Sequence, residues 1–400
     1  MEEAELLDRL RLVAEAFRPA APIDRRGLFS GRSDEIAELY SVVAQPGQHA
    51  VIYGERGVGK TSLAAVVTEM LRGSGVLVAR ATCDSSDDFS TAWRKALSEI
   101  ALSGSTQAIG FGASESETTT PATSLLGPGE VTPHAVQRAL STIGQQTPIA
   151  VIFDEFDRLG AAAGKDRALF ADTIKTLSDR VGPATVVIVG VADDVGELIR
   201  EHRSVERALV QVRMPRMSRE QLAEIVTRGV GSARMTIAKT SVARITALSQ
   251  GLPHYAHLLG QLAAQAALAE RRADIAARDV DAAVARAIDR AQQSVTEAYY
   301  RATAGDGDVR RRVLLACALA QEDDFGFFAA DDLDEPLGRL GAEGGESLED
   351  DLLELARTEA VLQRRQEAGA DRYRFVNPLL QPYVVMRGLS EGLLKARDVR

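Results

Sequence analysis

One eight-residue segment restricts the fold of this chain more than any other. It reads Gly54-Glu55-Arg56-Gly57-Val58-Gly59-Lys60-Thr61 and fits the pattern G-x-x-x-x-G-K-[ST] at every fixed position. An apolar run at 49–53 precedes it, and a helix-forming run at 62–67 follows it. A strand that leads through such a loop into a helix is the arrangement that cradles phosphate groups. The pattern in this context predicts a site for a nucleoside triphosphate.

The chemistry of such a loop gives each residue type a task. Glycines let consecutive backbone N–H groups surround a phosphate without Cβ clashes, and the N-terminus of the following helix adds partial positive charge. Lys60 is expected to reach the β- and γ-phosphates, and the Thr61 hydroxyl to ligate Mg²⁺. The predicted ligands are ATP/ADP and Mg²⁺, with GTP as the less favoured nucleotide. The candidate binding residues here are Gly54, Glu55, Arg56, Gly57, Val58, Gly59, Lys60, Thr61 and Ser62.

Composition is that of an ordinary globular protein. The 400 residues are 45 % apolar and 26 % charged, which suits roughly two to three packed domains. No apolar run reaches the ~20 residues of a membrane helix, and the acidic start is unlike a secretory signal. Two distant cysteines, Cys83 and Cys317, favour a reducing compartment. We therefore expect a cytoplasmic protein that has no membrane partner, and whose net charge of −10 does not attract nucleic acid in general.

A second stretch places two carboxylates at the end of an apolar run. The run 149–153 is followed directly by Asp154 and Glu155. Five apolar residues in a row are typical of a buried parallel strand, and open α/β sheets bind ligands at the carboxyl ends of such strands. We expect Asp154 to hold Mg²⁺ together with Thr61, as a Walker B aspartate does. Glu155 is the candidate general base that polarises the attacking water.

Alternating strand and helix patterns predict an α/β fold of the P-loop NTPase kind, with helices on both faces of a parallel sheet. Its strands are expected near 49–53, 76–83, 148–154, 185–191 and 208–213. The stretch 103–129, rich in Ser, Thr and Gly, is expected to be a mobile surface loop. The expected domains are 1–27, an N-terminal helix and linker; 28–215, the nucleotide-binding domain; 216–295, a helical lid; and 296–400, a winged-helix-like domain.

The strand expected at 185–191 ends in Ala192-Asp193-Asp194, and here the chain begins to resemble the AAA+ ATPases. The resemblance is to the branch of origin-recognition and initiator ATPases and of the related STAND switch ATPases. In that branch a polar sensor, commonly Asn or Thr, follows this strand and contacts the γ-phosphate or the lytic water. Asp193 takes that position here.

The resemblance also implies an arginine on the segment before the last strand. In the family this arginine points into the nucleotide of a neighbouring subunit. Arg207 fits the place best and Arg203 second, and Arg207 would then imply a homo-oligomer. A planar guanidinium suits spread phosphoryl charge. The alternative is an arginine that is only solvated or ion-paired.

Two further elements resemble the same ATPases. Gly251-Leu252-Pro253-His254 is similar to the G-x-P element of STAND proteins and overlies the sensor 2 position of AAA+ lids. Pro253 and His254 are therefore candidate nucleotide contacts, although His254 stands where initiator ATPases usually have Arg, and a simple helix start is the alternative. The turn at 28–35 resembles the F-x-G-R-x-x-E signature that packs on adenine. Its candidate residues are Phe29, Gly31 and Arg32.

The region after residue 295 bears on the partner. Two helices followed by a hairpin indicate a winged helix, a fold that often binds DNA. Residues 296–400, however, carry 14 Lys and Arg against 21 Asp and Glu, a net of −7. The second helix, at 348–358, has an acidic first turn where base-reading residues belong. The basic residues of the expected wing are Arg364, Arg365, Arg372 and Arg374. The balance favours a protein partner or client over DNA.

Three functions remain open on the sequence. The first is an ATP-driven switch or remodelling ATPase, a slow Mg²⁺-dependent ATP hydrolase that acts through protein partners. The second is a DNA-binding initiator or transposition helper built on the same module. The third is a nucleotide-binding scaffold with little turnover, which the replacement of the usual sensors by Asp193 and His254 favours.

Overall fold

The computed structural model of the chain describes residues 1–22, 29–106, 116–145, 147–160, 163–180, 182, 184–199, 205–304, 307–342, 347–357, 361–367, 369–395 and 398–399. It divides into two compact units. The first comprises Met1–Gly31, Glu55–Gly59 and Pro215–Arg400, and the second comprises Arg32–Gly54 and Lys60–Met214. In the described ranges no helix is both long and apolar enough to cross a membrane.

Strands and helices alternate along the first half of the chain. In order they are α1 (Glu3–Ala16), α2 (Ser33–Ala44), β1 (His49–Gly54), α3 (Lys60–Gly73), β2 (Leu77–Thr82), α4 (Phe89–Ser98), β3 (Ala101–Thr106), β4 (Ser116–Pro121), α5 (Pro133–Gly144), β5 (Ile149–Asp154), α6 (Ala163–Asp179), β6 (Ala184–Val191), α7 (Val195–Leu198) and β7 (Leu209–Arg213). Short 3₁₀ helices lie at Ala122–Leu126, Phe156–Arg158 and Glu206–Ala208.

The second half is mainly helical. Its elements are α8 (Arg219–Ser232), β8 (Thr236–Ile237), α9 (Lys239–Leu248), α10 (Pro253–Ala269), β9 (Asp274–Ile275), α11 (Ala277–Asp289), α12 (Gln293–Ala302), α13 (Gly307–Leu319), β10 (Phe328–Ala329), α14 (Asp334–Arg339), α15 (Ser347–Arg357), β11 (Leu362–Glu367), β12 (Ala370–Phe375) and α16 (Leu380–Ser390). A further 3₁₀ helix lies at Ala330–Leu333.

A five-stranded sheet forms the centre of the second unit. Its order is β2-β5-β6-β1-β7, and each neighbouring pair is parallel. All six residues of β5 and seven of the eight in β6 are buried, as expected for apolar strands that are covered on both faces. The predicted parallel sheet is confirmed, and each strand end lies within one residue of its expected position.

Aromatic packing fixes the carboxyl end of β5. Phe153, the last apolar residue of the strand, meets the rings of Trp93 and Phe170 edge-on, with centroids 4.9 Å apart in both pairs. Phe170 also contacts Phe156, just beyond the strand, at 4.8 Å. All four side chains are fully buried. Edge-to-face contacts of this kind hold the rings in one geometry, so the turn that carries Asp154 is anchored on both sides.

The expectation of an unstructured loop at 103–129 is wrong for the described part of that stretch. β3 and β4 pair in antiparallel register from Ala101–Pro121 to Thr106–Ser116, and the 3₁₀ helix Ala122–Leu126 follows. Residues 107–115 lie outside the described ranges. The prediction from composition failed because backbone hydrogen bonding between two Ser- and Thr-rich strands does not require large apolar side chains. In addition, Thr is β-branched, and β-branched residues favour strands.

In the first unit, α1 packs on α8 and α10 through one aromatic residue. Phe17, directly after α1, is 1 % exposed. A Cβ at Gly229 of α8 or at Gly260 of α10 would lie 2.5–2.6 Å from the Phe17 ring, so glycine at both positions makes room for it. A capping box begins α8: Ser218 Oγ accepts from Gln221 N–H, and Gln221 Oε1 accepts from Ser218 N–H.

The C-terminal part of the first unit contains the predicted helices and hairpin. α13 packs on α16, and β11 pairs with β12 in antiparallel register from Leu362–Phe375 to Glu367–Ala370. The short strand β10 adds a third strand, in the order β10-β12-β11. The region 216–295, expected to be a helical lid, also contains a short parallel pair of strands, β8 and β9.

Candidate nucleotide-binding site

The segment Gly54–Thr61 joins β1 to α3. Gly54 has φ +145°, and a Cβ there would lie 2.4 Å from the Met214 carbonyl oxygen, so only glycine fits. Gly57 and Gly59 also have positive φ, +90° and +100°. Val58 is fully buried, whereas Arg56 is exposed. The backbone conformation therefore depends on glycine at the two fixed glycine positions of the motif, 54 and 59, and also at the variable position 57.

Lys60 begins α3 and is 7 % exposed. Its Nζ donates to the Gly54 carbonyl oxygen at 2.9 Å, so the ammonium group lies against the end of β1. Ser62, the last candidate of this segment, is half-buried in the first turn of the same helix. The N-terminal turn of α3 thus offers the lysine and backbone N–H groups that anion binding uses.

Thr61 and Asp154 are brought together as the sequence predicts. The Thr61 hydroxyl donates to Asp154 Oδ1 at 3.2 Å, although the residues are 93 positions apart. Asp154 is 2 % exposed. A hydroxyl and a carboxylate are oxygen ligands of the kind that Mg²⁺ prefers, and Mg²⁺ takes its remaining ligands from water and phosphate. No cluster of three or more His, Cys, Asp or Glu that could hold a metal alone occurs among the described residues.

The same carboxylate also has a partner that the sequence analysis missed. Arg80 of β2 donates through Nη2 to Asp154 Oδ2 at 2.6 Å. The only signal for it in the sequence is a charged residue inside the otherwise apolar run 76–81. Arg80 therefore belongs to the site on geometry alone.

Glu155 follows Asp154 in a left-handed conformation, with φ +52°. Such a conformation in a non-glycine residue is uncommon and is often found at functional sites. Its N–H donates to Asp154 Oδ1 at 3.0 Å, and its carboxylate bonds the exposed Arg158 at 2.6 Å. The candidate base is therefore held by an arginine three residues away, on the 3₁₀ turn.

Asp193 lies two residues beyond β6. Its N–H donates to Glu197 Oε2 at 3.0 Å. A second carboxylate, Asp157, stands at the same end of β6, where Asp157 Oδ1 accepts from Val191 N–H at 2.8 Å. No sequence pattern singles out Asp157, because its role depends on the β5–β6 pairing. The expected sensor position is thus occupied by an acidic residue, Asp193, and the neighbouring strand β5 also ends in an acidic residue, Asp154.

Of the two arginines that were expected to contact the nucleotide of a neighbouring subunit, the structure describes one. Arg207 is exposed on the 3₁₀ helix Glu206–Ala208, which precedes β7. An exposed position before the last strand is compatible with a contact to another subunit. Arg203 lies outside the described residues.

The F-x-G-R turn is fixed by hydrogen bonds. Gly31 has φ +75°, and its carbonyl accepts from Gln221 Nε2 of α8. Phe29 is half-buried. Arg32 directly precedes α2, and its side chain is 1 % exposed and bonds Glu35 at 2.9 Å. Residue 28, the first of this turn, lies outside the described residues. Arg32 therefore has an ion-pair role in its own unit, beside any contact with adenine.

The G-x-P element begins α10. Pro253 is the first residue of that helix, and His254 Nδ1 lies 2.8 Å from the Pro19 carbonyl oxygen. Burial lowers the pKa of His254, and the hydrogen bond to Pro19 opposes this only in part. His254 is thus favoured in its neutral form, unlike the arginine that initiator ATPases usually place here. A Cβ at Gly59 would lie 3.8 Å from Pro253 Cγ.

A buried ionic cluster in the first unit was not foreseen. Arg216 forms two parallel hydrogen bonds with Glu55 of the phosphate loop, through Nε at 2.6 Å and Nη2 at 2.8 Å. Its Nη1 donates to Glu322 at 2.7 Å and to Gln381 at 2.5 Å. Gln381, at the start of α16, is 1 % exposed. We call these four residues the Arg216 cluster; it joins the phosphate loop to two C-terminal segments.

Burial dominates the electrostatics of this cluster. It raises the pKa of Glu322 to about 7, and the Arg216 charge offsets this only in part. Burial acts to lower the pKa of Arg216, but the charges of Glu322 and Glu55 outweigh it and leave that pKa raised. The lack of a side chain at Gly251 leaves room for Arg216: the φ of Gly251 is +77°, and a Cβ there would lie 2.7 Å from Arg216 Cβ. The sequence signal would have been an isolated cation between Met214 and Met217.

Comparison with known proteins agrees with this geometry. The sequence model of a family described as "AAA ATPase domain" matches residues 28–189. No curated protein matches the chain. The Walker-type ATPase PABY2304 of Pyrococcus abyssi superimposes with a TM-score of 0.55 at 17 % identity, over 92 % of this chain and 99 % of that one.

Two other solved structures are more distant. The ORC2 protein of Aeropyrum pernix gives a TM-score of 0.48 at 16 % identity, over 96 % of both chains. Cdc6p of Pyrobaculum aerophilum gives 0.47 at 14 % identity, over 95 % of this chain and 99 % of that one. Likeness at such identities concerns the fold. On the TM-score of 0.55, the chain shares the fold of the Pyrococcus abyssi Walker-type ATPase over most of its length, and its residues 28–189 are similar to the AAA ATPase domain family.

Proposed function

We propose that this chain is a nucleotide-dependent switch: a slow, Mg²⁺-dependent ATP hydrolase that acts through a protein partner or client in the cytoplasm. The proposal assigns residues 28–215 to the nucleotide-binding domain, 216–295 to a helical lid and 296–400 to a winged-helix-like domain, with 1–27 as an N-terminal helix and linker. The STAND-like reading belongs to this proposal. It rests on the G-x-P element at 251–253.

The observation that carries the switch is the Arg216 cluster. Glu55 belongs to the loop that would surround the phosphates, and Glu322 and Gln381 belong to C-terminal segments. One guanidinium bonds all three. A phosphate that moves this loop therefore changes the energy of the C-terminal contacts, and the reverse holds by linkage. This gives the nucleotide a physical route to a remote surface.

The residues divide the hydrolytic work as follows. Backbone N–H groups at the start of α3 and the Lys60 ammonium bind phosphate oxygens. Thr61 and Asp154 would hold Mg²⁺, which would supply positive charge to neutralise the phosphates. Glu155 takes a proton from the attacking water after its carboxylate turns from Arg158 toward that water. The ion pair at 2.6 Å supports a slow hydrolase.

The partner is inferred from charge. In the wing, Arg364 bonds Asp371 at 2.6 Å and Arg372 bonds Asp323 at 3.4 Å. Arg374 stacks over Phe327 with its guanidinium carbon 4.5 Å from the ring centroid. Arginines that already have acidic or aromatic partners are less available for phosphates. We therefore favour a protein partner over DNA, and we assign to Arg207 a contact with the nucleotide of a neighbouring copy in a homo-oligomer.

The test compares nucleotide binding, turnover and C-terminal protection in the full chain. Lys60→Ala should abolish ATP binding, whereas Lys175→Ala, an exposed lysine of α6, should not. Glu155→Gln should bind ATP but release phosphate at least about tenfold more slowly; Glu130→Gln serves as its exposed control. Amide exchange of α16 should differ between the ATP-bound Glu155→Gln protein and the ADP-bound wild type.

The outcomes distinguish the three candidate functions. Equal, near-zero phosphate release in wild type and Glu155→Gln would favour a nucleotide-binding scaffold over a hydrolase. Identical amide exchange of α16 in the ATP and ADP states would contradict the proposed switch. Salt-sensitive retention on a DNA column at physiological ionic strength, lost when Arg364 and Arg365 become Glu, would favour the initiator or transposition-helper reading.

A further inference from the structure

Arg80 stands at an unusual place for a cation. β2 is the edge strand of the sheet, and its Ala79 and Ala81 are buried. Arg80 points to the opposite face, which it shares with Thr82, and Thr82 is level with Asp154 on β5. Alternation along β2 therefore aims the guanidinium at the carboxylate that the Mg²⁺ site uses.

The contacts of Asp154 distribute its two oxygens among three donors. Oδ2 accepts from Arg80 Nη2 at 2.6 Å. Oδ1 accepts from the Thr61 hydroxyl at 3.2 Å and from Glu155 N–H at 3.0 Å. The Nε of Arg80 is buried and has no hydrogen-bond partner among the described residues, and Nη2 lies 3.5 Å from the Thr61 carbonyl oxygen. The Asp154 carboxylate is therefore the main anchor of this guanidinium.

We propose that Arg80 is a positioning residue that acts as the resident counter-cation of Asp154 and thereby sets the Mg²⁺ concentration needed for nucleotide binding, an inference that rests on the proposed ATP site. Arg80 keeps a buried carboxylate neutralised before any metal enters. A divalent ion that enters at Thr61 and Asp154 must share that carboxylate with the guanidinium.

Charge and geometry both give the direction of the effect. The two cations repel each other, and their separation is short because they use oxygens of one carboxylate. A buried carboxylate without a counter-cation gains more from Mg²⁺ than one that is already paired. Arg80 therefore weakens Mg²⁺ binding, and its removal strengthens it. Nucleotide without metal should not register the change, since Arg80 bonds the Asp154 carboxylate at 2.6 Å, whereas its contact with the phosphate loop, to the Thr61 carbonyl oxygen, is longer at 3.5 Å.

The experiment titrates MgCl₂ into the full chain with a fluorescent ADP derivative, and repeats the titration with Mn²⁺ followed by electron paramagnetic resonance. Arg80→Gln should lower the half-saturating metal concentration about tenfold, while Arg80→Lys, which keeps the charge, should stay within about threefold of wild type. Arg72→Gln is the matched control: Arg72 donates to the Val78 carbonyl of the same strand but does not touch Asp154. Affinity in EDTA should be equal in all four proteins.

A second variant covers the case in which Arg80→Gln does not fold. Thr82→Glu, at an exposed position, gives Arg80 a competing carboxylate on its own face of β2 and should also lower the metal midpoint. A midpoint that is unchanged or raised in Arg80→Gln or, if that variant is unfolded, in Thr82→Glu overturns the inference. Weaker binding of Arg80→Gln in EDTA overturns it as well, because the guanidinium would then contact phosphate. Absence of nucleotide binding by wild type with and without metal overturns the proposed function, and this inference with it.

Discussion

Replacement of Arg216 by Met removes the one cation of a buried cluster and leaves two carboxylates facing each other. Glu55 and Glu322 have side chains that are 11 % and 12 % exposed. Removing one partner from a buried ion pair costs about 3–5 kcal/mol, because the remaining charge is uncompensated. We therefore expect Arg216→Met to lose about 3–5 kcal/mol of unfolding free energy in the first unit at pH 7.5.

The pH dependence of this loss follows from Glu322. Its pKa in the folded protein is raised to about 7 from an ordinary value near 4.5. A carboxyl with a raised folded pKa stabilises the fold below its unfolded pKa, and this contribution is lost as the pH rises through the folded pKa. Without Arg216 the pKa of Glu322 rises further, so the deficit of the variant should grow between pH 6 and pH 8.

The assay must report on the first unit. The single tryptophan, Trp93, lies in the second unit, so its fluorescence does not serve here. Amide exchange of α8 and α10, measured by mass spectrometry against pH, gives the local free energy of unfolding. The matched control is Arg219→Met, an exposed arginine three residues away, which should stay within about 0.5 kcal/mol of wild type.

Two further substitutions separate charge from packing. Adding Glu55→Gln and Glu322→Gln to Arg216→Met removes both uncompensated charges and should recover most of the loss. Arg216→Lys keeps the charge but lacks the planar fork, so it should lie between wild type and Arg216→Met. A loss below about 1 kcal/mol in Arg216→Met at pH 7.5, or a deficit that shrinks as the pH rises, would refute the reasoning.

Two other predictions concern buried rings. Phe17→Ala should cost about 3–5 kcal/mol and release α1 from α8 and α10, seen as faster amide exchange of α1, because the ring fills the space left by Gly229 and Gly260; unchanged exchange would contradict this packing role. Burial lowers the pKa of His49 to about 4, and its Nδ1 accepts from Val186 N–H at 2.9 Å. The contribution of His49 to the free energy of unfolding is thus present above pH 6.5 and is lost as the pH falls toward 4. The loss is about 2 kcal/mol at pH 5. Urea unfolding followed by Trp93 fluorescence should show this acid loss in wild type and in His134→Gln but not in His49→Asn; equal loss in all three would assign it to other groups.

Much of the nucleotide site was predictable from local patterns. The loop Gly54–Thr61 combines fixed glycines, a lysine and a hydroxyl within eight residues, so its geometry is encoded in adjacent positions. The buried strand before Asp154 was equally clear, because continuous apolar runs of this length have few other uses. The meeting of Thr61 and Asp154 then followed from the rule that ligands bind at the carboxyl ends of parallel strands.

The hairpin of β3 and β4 shows where composition fails. A stretch rich in Ser, Thr and Gly predicts little burial, and the burial argument led to an expected loop. Strand pairing from Ala101 to Pro121 instead depends on backbone hydrogen bonds, which the composition does not report. Low hydrophobicity alone is therefore a weak argument against a two-stranded sheet.

The sequence by itself determined the parallel sheet, the phosphate loop and the pairing of a hydroxyl with an aspartate, because each depends on short-range patterns and on a general rule of strand order. Only the tertiary structure decided that Arg80 bonds Asp154, 74 positions away in the sequence, and that Arg216 bonds Glu55, 161 positions away. A single arginine carries no periodicity, and its partner is set by which strands and helices pack together. The electrostatic setting of the site is thus a property of the packed fold.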